Sequence, residues 1–388
     1  MTSETSFSRD ASTALSYSAL LCFAFWNYGY GPALSLLRDE LHFSYTMLGV
    51  HTAVWSIGTV MTGITFPLAA RRLSRAALLW GSGALATFGT LAFVAGSTTS
   101  LTLLGGWVLG LGGTTLLATI QGILSDRHGA RRDRALTEAN IGAAACAVVA
   151  PLALGALAVG PLGWRVAYLL PAVGLGWLFL RYRRQPMPTP SDRRTVRRDG
   201  RLPLACWVFA GLAAGGMGVE FCLVYFGAEQ LRAIGLTATT ATFAMSSHFL
   251  GLLVGRLLGA TATRRPGRTV PLLHLSLVTT TSGFLLFWLG TAPLAVVLGL
   301  FVAGLGIANL YPLSVALSLG AADGHEDRAN SLSQLLGGLV VITAPYLLGT
   351  VADRFGLTTA FAIEPVLIAA CLALLLAGLR AGSHAASR

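Results

Sequence analysis

The chain has 388 residues, of which 54% are hydrophobic and only 11% charged, with 27 Arg, no Lys and 16 acids for a net charge of +11. Soluble domains carry about 25% charged residues, so a chain this long cannot furnish polar surface for two or three of them. The hydrophobicity excludes disorder and five Cys are too few for a disulfide scaffold, which leaves a polytopic, all-α membrane protein.

A polar tail over 1–13 leads into an apolar segment too long for a cleaved leader, so the first helix is read as uncleaved. A helix needs about 20 mainly apolar residues to cross the bilayer core. Twelve segments meet that need, at 14–37, 46–70, 76–97, 101–124, 135–160, 165–182, 203–226, 238–262, 269–290, 293–320, 331–351 and 358–379. They divide the chain into a tail (1–13), a six-helix bundle (14–182), a basic linker (183–202), a second six-helix bundle (203–379) and a second tail (380–388). Of the 27 Arg, 22 fall in the tails, in the linker and in loops on one side. By the positive-inside rule that side is cytoplasmic, both termini lie there, and the protein sits in the cytoplasmic membrane. The same distribution argues against a nucleic-acid footprint.

Ionisable and amide groups within spans are costly in lipid, so they are expected to face a cavity or one another. In chain order, the first span carries Trp26-Asn27-Tyr28-Gly29-Tyr30, the second His51, the fourth Gln121 and the seventh Glu220 and Tyr225. The eighth carries His248 and Arg256, the tenth Asn309 and Tyr311, the eleventh Gln334 and the twelfth Glu364. Glu220 is the foremost candidate, about 25 Å along its helix from the cytoplasmic end, and is read as a proton carrier. His51 and His248 are the further proton-coupling candidates, because an imidazole that faces water can trade a proton near neutral pH. Asn27, Trp26, Tyr28, Tyr30, Gln121, Tyr225, Asn309, Tyr311 and Gln334 are read as solute-binding candidates. Glu364 is expected to be structural. No Cys or His cluster resembles a metal site, no GxxxxGK[ST] loop points to ATP, and no nucleophile–base set suggests an enzyme, so no cofactor is expected.

The two halves repeat. Gly110–Gly112 recurs at Gly304–Gly306, Asp133-Arg134-Ala135 at Asp327-Arg328-Ala329, Ala150–Gly155 at Ala344–Gly349 and Pro171 at Pro365, each 194 residues later. The short loop RRLSR (Arg71–Arg75) recurs as RRPGR (Arg264–Arg268) at 193. Matches in order at a nearly constant offset of half the chain mark a six-plus-six parallel repeat. Glu220 falls at the repeat mate of Asn27, 193 residues after it.

On these features the chain resembles the major facilitator superfamily over essentially its whole length. The family's loop signature Gly-x-x-x-Asp-Arg-x-Gly-Arg-Arg reads PLAARRLSRA here, with Arg71 in the Asp position and Ser74 in that of the second Gly. The second half keeps Gly259, Arg264, Gly267 and Arg268 and also lacks the Asp. Arg71, Arg72, Arg75, Arg264, Arg265 and Arg268 are expected to form cytoplasmic latches with acids such as Asp133, Glu138 or Asp327, and Arg256 to act in gating. The resemblance implies a monomeric secondary transporter that moves a small organic solute through the bilayer by alternating access, coupled to H+. Exporters of the family carry Arg-x-x-x-Gly-x-Gly in helix 4 and Gly-x-x-x-Gly-Pro-x-x-x-Gly in helix 5. Here these read Gly106, Gly110, Gly112 and Cys146, Ala150, Pro151, Gly155, which points to efflux of a drug-like compound or secondary metabolite by antiport. Uptake of a sugar or organic acid, and a non-transporting receptor or scaffold of the same fold, stay open.

Overall fold

A computed structural model describes residues 9–188, 202–263, 267–322 and 325–386. The described residues are helical, without strand: α1 (Ala11–Leu41), α2 (Tyr45–Arg72), α3 (Arg75–Ala95), α4 (Thr99–His128), α5 (Arg132–Val159), α6 (Gly163–Tyr182), α7 (Leu204–Ala233), α8 (Ala238–Ala262), α9 (Thr269–Leu289), α10 (Pro293–Ile307), α11 (Leu310–Gly320), α12 (Glu326–Phe355), α13 (Leu357–Ala360) and α14 (Ile363–Ala386). Short polar side chains start several of them. Ser44, Ser74 and Thr237 accept the amide of the third residue onward in α2, α3 and α8, and Asp10 does so for α1. Partial burial acts to raise the Asp10 carboxyl, but two bonds from Thr13 and the charge of Arg127 outweigh it and hold the group below its ordinary value.

The expected tenth span is interrupted. Its helix breaks at Ala308–Asn309 into α10 and α11, and the twelfth begins with the separate turn α13. Eleven crossings among the described residues are long and apolar enough to span a bilayer, with α10 and α11 counted together. The exception among the twelve expected spans is α1. It is also well enclosed, packing chiefly on α4, α5, α6, α7 and α8. A helix surrounded by protein need not be apolar on every face.

The chain halves α1–α6 and α7–α14 meet chiefly where α2 packs on α12, α5 on α8 and α1 on α7. We call the end of the bundle where α1 begins the near end and the end where it finishes the far end. Glycine permits the closest approaches between halves. A Cβ on Gly31 would collide with the Val224 carbonyl of α7, and one on Gly49 would come 2.8 Å from Cα of Tyr346 in α12. Without a strong hydrophobic drive between helices in lipid, such small-residue contacts let backbones pack closely enough to hold them.

Candidate functional site

Periodicity sorts the side chains of α1. Leu20, Phe23, Ala24 and Asn27 recur at helical spacing and line a central cavity of about 280 Å3, with Tyr28 at its edge. α2 adds Trp55, Ser56 and Thr59, α4 adds Thr114, Leu117 and Gln121, and α5 adds Asn140 and Ala143. From the other half come Met217, Phe221 and Tyr225 on one stripe of α7, and Gly338 and Val341 of α12. Gln121 and Asn140 are exposed and lie within about 12 Å of the near ends of α4 and α5, so the cavity extends toward the near end.

Of the residues singled out from sequence, the cavity brings together Asn27, Tyr28, Gln121 and Tyr225. Gln334 is exposed one helical turn nearer the mouth than Gly338. Trp26 and Tyr30 are fully buried and turn away. The Trp26 indole donates to the Tyr168 carbonyl at 3.1 Å, and the Tyr168 hydroxyl donates back to the Trp26 carbonyl at 3.1 Å, locking α1 to α6. The Tyr30 hydroxyl donates to the His51 carbonyl at 3.2 Å, and its ring lies 4.5 Å from that of Trp55. Asn309, placed in the cavity from sequence, instead sits at the helix break and donates to the Gly255 carbonyl of α8 at 2.9 Å. Tyr311 follows it in α11, outside the cavity lining.

The ionisable candidates separate clearly. Both ring nitrogens of His51 are occupied, Nδ1 by the Met47 carbonyl at 2.8 Å and Nε2 by the Thr102 hydroxyl at 2.9 Å. His248 is fully buried against Phe249 and approaches the Leu300 carbonyl without hydrogen-bond geometry. Glu364 is fully buried with neither carboxyl oxygen in a hydrogen bond among the described residues. Glu220, 9% exposed, forms no ion pair among the described residues, but it shares an electrostatic environment with Arg256, whose guanidinium also faces the Tyr28 hydroxyl. Arg256 therefore sits behind the cavity lining, next to Tyr28 and Glu220, rather than with the near-end loops.

At the near end, Arg75 pairs within its own half with Asp126 of α4, at 2.8 Å, not with the acids expected for a latch. Glu138 pairs with Arg9 at 2.9 Å and with Arg134 at 3.1 Å, also within its half. Arg71, Arg72 and Arg268 are exposed. Arg264, Arg265 and the side chains of Asp133 and Asp327 lie outside the described residues, as do 189–201 of the linker. The side chains of Arg75 and Asp126 are only 12% and 6% exposed, so removing one partner strands a largely buried charge. Asp126→Ala is expected to cost about 3 kcal/mol and to lower the melting temperature of the purified protein, whereas Arg71→Ala leaves it unchanged.

The far end holds a cluster that the sequence reading missed. Glu229 of α7, 1% exposed, accepts from the Ser35 hydroxyl at 2.5 Å, from Arg38 at 2.8 Å and from Arg232 at 3.3 Å. Arg232 reaches across to Asp39, and Asp353 of α12 accepts the Tyr45 and Thr46 amides at the start of α2 at 2.8 and 2.7 Å. The halves are clasped here. A signal is present in the sequence: Arg38 and Arg232 are repeat mates at the 194-residue offset, and Ser35 and Glu229 share it. Counted only as charges on the Arg-poor side, these residues give no hint of a cluster.

The sequence profile described as Major Facilitator Superfamily matches residues 16–232 and 208–388. No curated protein matches the chain. Among solved structures, a mutant of the nucleoside transporter NupG superposes with TM-score 0.77 at 15% identity, over 96% of this chain and 100% of that one. A bacterial homolog of the human lysosomal transporter Spinster, inward-facing and occupied, gives 0.73 at 15%, over 97% and 96%. A mutant of the peptide transporter POT in complex with sulfate gives 0.74 at 15%, over 96% and 95%. At these identities the likeness is one of fold.

Proposed function

The chain belongs to the major facilitator superfamily, and from that premise we propose that it is a proton-coupled secondary transporter exporting a small organic solute by alternating access. The observation that carries the reading is the far-end clasp over a central cavity that extends toward the near end. A solute site sealed on one side by contacts between halves is what rocking of two bundles requires. In this reading the Arg-rich near end is cytoplasmic, the membrane is the cytoplasmic one, and the cavity opens inward. Efflux is supported by the small residues and Pro151 in α5, where exporters of the family carry their signature.

Glu220 carries the proton. Its negative charge and the positive charge of Arg256 balance one another beside the cavity, and taking up a proton removes that balance. Arg256 is then free to turn from Glu220 toward the solute, so protonation and solute occupancy bias the same wall. His51 has no open nitrogen for this task. Glu220→Gln mimics the protonated carboxyl. In proteoliposomes it is expected to abolish uphill transport driven by a proton gradient while leaving solute counterflow measurable. Uphill transport with wild-type pH dependence in the variant would remove Glu220 from the coupling.

A further inference from the structure

The cavity is polar on one side only. Its carboxamides and aliphatic hydroxyls, Asn27, Gln121, Asn140, Ser56, Thr59 and Thr114, all come from the amino-terminal half. The carboxyl-terminal half presents Met217, Phe221, Tyr225, Gly338 and Val341, an aromatic and apolar surface with one phenol.

Most of the polar groups are already engaged. Ser56 donates to the Thr52 carbonyl at 2.9 Å, Thr59 and Thr114 bond each other at 3.0 Å, and the Asn140 amide donates to the Leu136 carbonyl at 2.8 Å. The amides of Asn27 and Gln121 make no hydrogen bond among the described residues, although both line the cavity. A primary carboxamide offers a donor and an acceptor side by side, and its natural complement is another edge of that kind. Among the described residues no Asp, Glu, Arg or His lines the cavity, and the nearby Glu220 and Arg256 offset each other. While Glu220 is ionised, a charged solute would enter with no counter-charge of its own, and an unpaired charge out of water is strongly disfavoured.

Resting on the reading of this cavity as the solute site, we propose that the solute is an uncharged, flat ring compound bearing an amide- or lactam-type donor–acceptor edge. That edge pairs with Asn27 and Gln121, and the ring lies against Phe221 and Tyr225. The volume of about 280 Å3 sits just below the roughly 300–1,000 Å3 of drug-sized sites and accommodates one or two fused rings with small substituents. The polar edge and the flat face engage opposite halves, so such a solute bridges both when the cavity closes around it.

The test uses four probes of one shape: 2-quinolone, N-methyl-2-quinolone with the donor blocked, quinoline-2-carboxylate as the anion and N-methylquinolinium as the cation. Binding to the purified full chain in nanodiscs is followed by saturation-transfer NMR and by tryptophan fluorescence, Trp55 being in the wall. 2-Quinolone is expected to bind at least roughly tenfold more tightly than the other three, the discrimination that stranding a polar or charged group in the cavity would give. Asn27→Ala with Gln121→Ala should remove most of that preference, and Asn27→Ser alone should reduce it partly, in protein that keeps the wild-type melting temperature. Absence of 2-quinolone binding, equal or tighter binding of an ion, or a preference that survives the double substitution would overturn the proposal. Because the readout is binding, such failure leaves alternating access standing. A chain that binds with this preference but catalyses no counterflow in liposomes would instead overturn the transport reading.

Discussion

Glu229→Ala is expected to spring the far end open. The carboxylate is 1% exposed and holds Ser35, Arg38 and Arg232 together, so its loss leaves two guanidinium groups facing each other across the halves. Truncating one partner of a buried ion pair costs about 3–5 kcal/mol. That cost falls on the far-end-closed state, because the opposite state has already separated these groups. Each ~1.4 kcal/mol is tenfold in a population, so the balance should move by roughly a hundredfold or more. The measurement is labelling of a Cys at Thr59, in a Cys-free background, by an impermeant maleimide added from the far side. Labelling at least roughly tenfold faster than in the parent is expected. Asp39→Asn is the matched control. Asp39 is 44% exposed, and an exposed pair is worth about 0–1 kcal/mol, so labelling should change little. Equal rates for Glu229→Ala and its parent would show that the clasp does not hold the state.

Gly31→Leu should act in the same direction and more completely. A Cβ at Gly31 overlaps the Val224 carbonyl, and backbone cannot swing aside as a flexible side chain does. The substitution forbids the α1–α7 approach, whereas loss of Glu229 only weakens it. Counterflow is expected to fall by about a hundredfold or more in protein that remains monodisperse, because a transporter that cannot close the far end cannot complete its cycle. Gly176→Leu on α6 provides the control, since nothing lies within 4 Å of its Cβ position. Wild-type counterflow in Gly31→Leu would remove the crossing from the mechanism.

Much of the architecture was legible from hydropathy and the internal repeat, because both report on segments of about 20 residues or more. What escaped was finer than that scale. The break at Ala308–Asn309 lies inside an unbroken apolar run with no Pro at the break itself, and its stabilising bond, Asn309 to Gly255, is made to a different helix. At the cavity, the cluster from Trp26 to Tyr30 reads as one surface in sequence although consecutive helical residues point in different directions. Asn27 shares a face with Leu20 and Phe23, while Trp26 and Tyr30 fall on the buried sides. The pairing of Arg75 with Asp126 carries no sequence signal, since its two members lie on different helices and Asp126 falls outside the loop signature that holds Arg75. The far-end clasp emerges only when Arg38 and Arg232 are taken as partners across the repeat instead of as topology markers.

The modest apolarity of α1 has a consequence for how the protein is made. This helix leaves the ribosome before every helix that encloses it, and by composition it is the one least able to remain in lipid by itself. Its main contacts are with α4, α5, α6, α7 and α8, none of which has been synthesised when it reaches the membrane. Stable insertion of α1 is therefore expected to wait until later helices arrive to enclose it. The polar groups that give the finished protein its cavity thus set the order in which its parts must assemble.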